Sequence, residues 1–281
     1  MTQVYDTRRC NLGEGPLWHP ELQELFWFDI IGKTLHSKAQ SWTFGEHVSA
    51  AGWVDEDTLL VASETALFRF DLRTGNRTDI CGLDADNPVT RSNDGRADPQ
   101  GGFWIGTMGK NAEPNAGGIY RYYKGELRKL VSNITISNAI CFAPDGETAY
   151  YTDTTDGRIM VWALGKDGWP EGEARVLVDL SSEDFGADGA VVDADGNLWN
   201  AQWGASRVAC YGPDGGFIRA IYLPAKHVTC PAFGGPDLTT LFCTSATQGL
   251  APPVIDNDPV QGQTFQTENV AKGQKEHQVI L

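Results

Sequence analysis

The hydrophobic pattern of this chain is one of short β-like runs separated by Gly- and Asp-containing turns. The stretch from Ser137 to Leu180 is the clearest. Ala139–Ala143 reads as a strand and Pro144-Asp145-Gly146 as a turn. Thr148–Thr152, Arg158–Leu164 and Ala174–Leu180 follow as three more strands, with Asp156-Gly157 turning between the first two. The next stretch repeats the unit: Gly189–Val192, Asp195-Gly196, Leu198–Ala201, Arg207–Tyr211, Asp214-Gly215 and Phe217–Leu223. Further starts fall near Glu14, Gly52, Asn93 and Pro231, which with Asn138 and Asp188 makes six. Their intervals of 38, 41, 45, 50 and 43 residues average about 43, and four strands repeated at that period describe a propeller blade. The pattern therefore predicts an all-β chain: one domain over residues 1–281, a six-bladed β-propeller with four-stranded blades around a central channel, its short tails closing the ring. A β-sandwich with regular hairpins is the alternative, and the long period argues against it. No Trp-Asp dipeptide occurs, so the WD40 type is not indicated, and extended helical periodicity is absent.

Composition removes whole classes of partner. With 37 Asp and Glu against 22 Lys and Arg, the formal net charge is −15. A phosphate-binding face needs an excess of cations, so nucleic acid and anionic membrane surfaces are excluded. A hydrophobic content of 41% excludes disorder. The six cysteines form no Cys-x-x-Cys pair, the amino end has neither a basic nor an apolar leader region, and no apolar run approaches the ~18 residues of a membrane span. These features predict a reduced, soluble, cytoplasmic protein.

In a propeller, residues in the loops entering the innermost strands gather round one end of the axis. Four of the six starts carry polar residues there: Glu14, Asn93 with Asp94, Asn138 and Asp188. Carboxylate and amide oxygens converging on one point suit a hard divalent cation, with water completing the shell. Each residue alone is equally a common turn former, and only the repetition at related positions favours the metal. The histidines show no metal-ligand spacing and are expected on surfaces or turns. No His-Glu-x-x-His, Gly-x-Ser-x-Gly, P-loop or dinucleotide fingerprint occurs. Trp203 follows an inner strand and reads either as blade core or as a platform for a sugar ring.

At these residues the sequence resembles the senescence-marker-protein/gluconolactonase family, which includes regucalcin and bacterial sugar lactonases. The matching segments are Gly13-Glu14-Gly15-Pro16-Leu17-Trp18, Arg91-Ser92-Asn93-Asp94-Gly95 with Gly106-Thr107-Met108, Ser137-Asn138, Asp188-Gly189, and Cys230-Pro231-Ala232-Phe233-Gly234-Gly235. They span about residues 13 to 249. The resemblance implies a six-bladed propeller with one divalent ion in its channel, held by Glu14, Asn138 and Asp188, with Arg91 and Asn93 contacting substrate. Calcium, zinc, magnesium, manganese or ferrous iron would suit such donors. Two departures stand out. The usual Gly after Ser-Asn is Ala139, which matters only if that backbone needs a positive φ. Beyond Gly-Thr-Met, where some members are acidic, this chain has Gly109-Lys110-Asn111.

The activity so implied is hydrolysis of a small-molecule sugar lactone (aldono-, urono- or aldarolactone) to the sugar acid. The ion would polarise the carbonyl and activate a bound water for attack. Asp188 is expected to act as both ligand and proton acceptor, and Arg91 to steady the oxyanion. Lys110 with Arg91 would favour a substrate carrying its own carboxylate, whereas a simply solvated Lys110 would not. Three alternatives remain: a non-catalytic calcium-binding propeller of the regucalcin type, another hydrolase or synthase on the same scaffold, and a protein-interaction propeller.

Overall fold

A computed structural model describes residues 1–281. The short runs become 24 strands in six four-stranded antiparallel sheets, five of them ordered from the axis outward as the chain runs. β1 (Thr2–Asp6) precedes the first blade, which comprises β2 (Gly13–His19), β3 (Glu24–Asp29), β4 (Thr34–Ser37) and β5 (Ser41–Thr43). The second holds β6 (Val48–Asp55), β7 (Thr58–Ser63), β8 (Ala66–Asp71) and β9 (Arg77–Gly82). The third holds β10 (Thr90–Ala97), β11 (Phe103–Gly109), β12 (Gly117–Tyr123) and β13 (Glu126–Ile134). The fourth is β14 (Ser137–Phe142), β15 (Thr148–Asp153), β16 (Arg158–Leu164) and β17 (Pro170–Asp179), and the fifth β18 (Gly186–Val192), β19 (Leu198–Trp203), β20 (Arg207–Tyr211) and β21 (Phe217–Tyr222). The sixth has β22 (His227–Gly234), β23 (Thr240–Ala246) and β24 (Thr264–Thr267), and takes β1 as its outer strand, with Thr2 opposite Thr267 and Val4 opposite Phe265. The amino-terminal tail thus closes the ring as expected.

A twisted sheet standing on edge must bury both faces, so each gap between blades is filled by side chains from the two sheets bounding it. There are six apolar clusters, one for each gap. In the gap between the first and second blades, Phe26 and Phe28 meet Val61 and Phe68. Between the last and the first, Trp18 stacks on Phe242 with ring centroids 5.6 Å apart. One helix, α1 (Pro252–Asn257), lies in the loop between β23 and β24, with no buried residue. No helix is long and apolar enough to cross a membrane.

The six inner strands β2, β6, β10, β14, β18 and β22 run side by side around the channel, and each contains a register shift. In five of them two residues stand opposite one on the neighbouring strand: Gly15-Pro16, Asn93-Asp94, Ala139-Ile140, Asp188-Gly189 and Thr229-Cys230. These are β-bulges, which re-aim side chains. The polar residues expected in loops are therefore inside or beside strand bulges. The start read at Gly52 falls between the two irregularities of its strand, at Ser49 and Val54, and the start read at Pro231 falls just past the one at Thr229-Cys230. Neither blade had a polar motif residue to mark the position.

Beyond β24 the chain crosses beneath the ring. Ala194 N–H donates to Lys272 O at 2.7 Å, Trp53 Nε1 donates to Glu276 O at 2.9 Å, and Ile280 N–H donates to Gly101 O at 2.8 Å. Gln274 Nε2 donates to the carbonyls of Phe142 and Val192, at the ends of two inner strands. The carboxy-terminal segment thereby stops one mouth of the channel.

Candidate metal and substrate site

The opposite mouth opens into a cavity of about 390 Å3. Glu14, Arg91, Asn93, Asn138 and Asp188 form its floor, with Lys110, Trp203 and Gln248 among its walls. All six residues predicted for the site therefore meet in one pocket. The floor residues are buried, each no more than 5% exposed.

Glu14 and Asp188 come close enough for their carboxyl groups to hydrogen-bond to each other. Each is held from below by the amide that follows it. Gly15 N–H donates to Glu14 Oε2 at 3.0 Å, and Gly189 N–H donates to Asp188 Oδ1 at 3.1 Å. Gly15 has φ +52°, and a Cβ at Gly189 would collide with Cys230, so both positions suit glycine. No Lys, Arg or His forms an ion pair with either carboxylate. Burial, then the neighbouring Asp94, pushes Glu14 up to about 8. Burial, then Glu14, raises Asp188 well above the usual carboxylate range. Arg91 acts on both from the same floor without pairing to either, so the two buried anions are poised to share protons or take up a positive ion.

Asn138 supplies the third oxygen. Its Nδ2 donates to Thr154 Oγ1 at 2.8 Å, and that hydroxyl donates in turn to Ala187 O at 2.7 Å. The amide is thereby oriented with Oδ1 away from Thr154. Asn93 Nδ2 donates to that Oδ1 at 3.2 Å and to Ser137 O at 2.8 Å, while Asn93 Oδ1 accepts from Arg91 Nη1 at 2.7 Å. Asn93 thus links Arg91 to Asn138, with its amide already partnered on both sides. Arg91 donates once more through Nη1, to Ser92 O, but its Nε has no partner and no carboxylate pairs with it. Burial lowers Arg91 to about 10, which leaves it charged at neutral pH.

No three His, Cys, Asp or Glu side chains gather anywhere as a metal cluster. The donor set here is instead two carboxylates and an amide oxygen, the hard donors that calcium, magnesium and manganese accept. The uncompensated buried pair fits such an ion. Asp94, although adjacent to Asn93, is absent from the cavity wall, and its Oδ2 accepts the N–H of Ile140 at 2.7 Å.

Lys110 is not simply solvated. Its Nζ donates to Glu64 Oε1 at 3.1 Å and to Pro88 O at 3.0 Å, and His47 closes on the other Glu64 oxygen. Trp203 lines the pocket and stacks on His227, with ring centroids 4.1 Å apart and planes within 18°. His227 Nδ1 in turn lies 2.9 Å from Gln248 O. His19 and His227 are buried, not on surfaces or turns. His19 packs between Phe26 and Trp53. Thr154 and Gln248 went unread because both lie beyond the far ends of second strands, where no motif marks them. Ala139 has φ +56°, so the backbone there does need the conformation that glycine adopts freely.

A six-bladed propeller with an anionic, oxygen-lined pocket at one end of its channel is the class that fold and site define. Residues 12–247 match the SMP-30/Gluconolactonase/LRE-like region, and the chain belongs to that family. It is 37% identical to the L-arabinolactonase of Azospirillum brasilense, over 94% of this chain and 90% of that protein. It is 31% identical to the 6-deoxy-6-sulfogluconolactonase of Pseudomonas putida, over 91% and 90%. The crystal structure of a calcium-binding protein, regucalcin, from Agrobacterium tumefaciens superposes with a TM-score of 0.98 at 40% identity, covering 100% of this chain and 98% of that one.

Proposed function

We propose that this protein is a hydrolase that opens sugar lactones to sugar acids, with one divalent cation held by Glu14, Asn138 and Asp188. The observation that carries the reading is the buried Glu14–Asp188 pair, which forms no ion pair and opens to the cavity. The lactonases among its relatives support the substrate class. A divalent ion bound there would supply Lewis acidity to the lactone carbonyl and acidify water.

The remaining chemistry belongs to the chain. Asp188 Oδ1 is fixed by the Gly189 amide, so the other oxygen is placed to accept a proton from the attacking water. Arg91, which lines the cavity and stays charged, would donate to the oxygen on which charge develops. Asn93 keeps Arg91 and Asn138 in register with each other. Trp203 offers an apolar face to the C–H side of the sugar ring. Lys110 is a rim contact whose charge Glu64 already balances, so Arg91 remains the cation available to a substrate carboxylate. The six free cysteines, five of them buried, suit a reducing cytoplasmic compartment.

Proton release from a panel of aldono-, urono- and aldarolactones tests the proposal, using native, chelator-stripped and metal-reconstituted protein with spontaneous hydrolysis subtracted. Turnover should vanish on stripping and return with one ion. If no lactone opens faster than the blank with any ion, while calcium still binds, the chain is a calcium-binding propeller like its structural relative.

A further inference from the structure

At Glu14 and Asp188 the residue that follows the proposed ligand is glycine, and its amide returns to that ligand's own carboxylate. Asn138 is followed instead by Ala139, fully buried at φ +56°. Alanine in the left-handed region crowds its Cβ against the following carbonyl oxygen, so that conformation carries a strain glycine does not. The strain is met from the neighbouring blade. Asn93 and Asp94, the bulge of β10, reach across to the bulge of β14 on either side of the strained residue. Asn93 Nδ2 donates to Ser137 O at 2.8 Å, and Asp94 Oδ2 accepts from Ile140 N–H at 2.7 Å. Between these anchors lie only Asn138 and Ala139. Asp94 is 3% exposed, forms no ion pair, and takes no place in the cavity wall.

We infer that Asp94 is a positioning residue: its carboxylate clamps the Ile140 amide, holds Ala139 in its left-handed conformation and so aims Asn138 into the site. The inference rests on Asn138 being a metal donor, as proposed above. It assigns Asp94 work through a backbone hydrogen bond, and neither as a ligand nor as a charge. It also explains how an alanine can stand where the residue after Glu14 is a left-handed glycine, Gly15 at φ +52°.

The test is calorimetric titration of chelator-stripped protein with Mn2+ and with Ca2+, for wild type, N138A, D94A, D94N, A139G and D94A/A139G, alongside kcat and KM. Loss of an outer contact to a ligand weakens metal binding by about tenfold or more, which is the expectation for D94A. D94N keeps an oxygen that can accept the Ile140 amide, so it should stay within about threefold of wild type. In the A139G background the left-handed conformation is no longer strained, so D94A should cost less than about threefold there. Unchanged affinity in D94A while N138A weakens it would overturn the clamp, as would equal losses in D94N and D94A, which would make the charge the active feature. Should wild type bind neither ion, the reading of the site fails, and the clamp is then judged on thermal unfolding of the metal-free variants. A139G is expected to raise the melting temperature by about 2 °C, and D94A to lower it less in A139G than in wild type. Additive shifts would overturn the clamp independently of any metal.

Discussion

The two ends of the channel are built from the same six strands and treat charge in opposite ways. At the stopped end, Arg96 is buried and finds Glu276 of the carboxy-terminal segment, itself 8% exposed. At the open end, Glu14, Asp188 and Arg91 are buried in one floor, and none of them forms an ion pair. Burying ions costs several kcal/mol each unless they are paired. The stopped end avoids that cost within the chain, whereas the open end leaves its groups for something that binds. Ion-paired charge marks architecture here, and unpaired charge marks the candidate site.

The comparison breaks first at Asp188. If the open end is the reacting end, Asp188→Ala removes a donor and the proton acceptor together, and kcat should fall by about 10³-fold or more. Retained turnover on every lactone in the panel would show that catalysis lies elsewhere. Glu276→Ala should have the opposite profile. Leaving Arg96 buried and unpaired is expected to cost about 3–5 kcal/mol, lowering the melting temperature by roughly 10 °C while kcat at 25 °C stays within about twofold. Replacing both partners, R96M with E276L, should restore most of the loss. A collapse of kcat in Glu276→Ala without a change in unfolding would erase the distinction between the ends.

The next effect is graded by pH. Burial first and Asp94 second raise Glu14 to about 8, and burial raises Asp94 to about 6. A carboxyl group with a raised folded pKa binds more protons in the native state than in the unfolded one. Its contribution is fully present below the ordinary carboxylate range and is lost as pH climbs towards 8. Metal-free protein should therefore melt at progressively lower temperature from pH 5 to pH 8, with about 1.4 kcal/mol per pH unit for one proton. Glu14→Gln should flatten that slope, and the metal-loaded protein should lose most of it. A slope that Glu14→Gln leaves untouched would mean that the open end carries no such penalty.

The repeat was legible because a blade is a local object, four strands and their turns within about 43 residues. Blade count, strand order and the ring-closing tail all follow from that spacing. Glu14, Asn138 and Asp188 could be read because turn-like polar residues at related positions have few reasons to recur. What hid from the sequence was contact between distant segments. The stopping of the channel depends on Glu276 meeting a residue 180 positions earlier. Pairing of Lys110 with Glu64 joins two blades, and nothing local to Lys110 distinguishes it from a solvated side chain. Ala139 was flagged only conditionally, since φ is a property of the bulge and not of the residue.

The smallest effect concerns the wall of the open end. Trp203 could be read either as blade core or as platform, and the structure places it against the cavity with its other face on His227. A platform contributes through contact with bound substrate, in both ground and transition states. Trp203→Ala should therefore raise KM by about three- to tenfold, the equivalent of one aromatic contact of roughly 1 kcal/mol, and leave kcat nearly unchanged. His227→Ala removes the ring behind the platform without touching the floor, and should shift KM in the same direction by less. Were Trp203 instead a core residue, its removal would lower the melting temperature by several degrees and leave KM alone. The KM-to-melting ratio across these two variants therefore decides whether the wall belongs with the charged floor beneath it or with the packed blades behind.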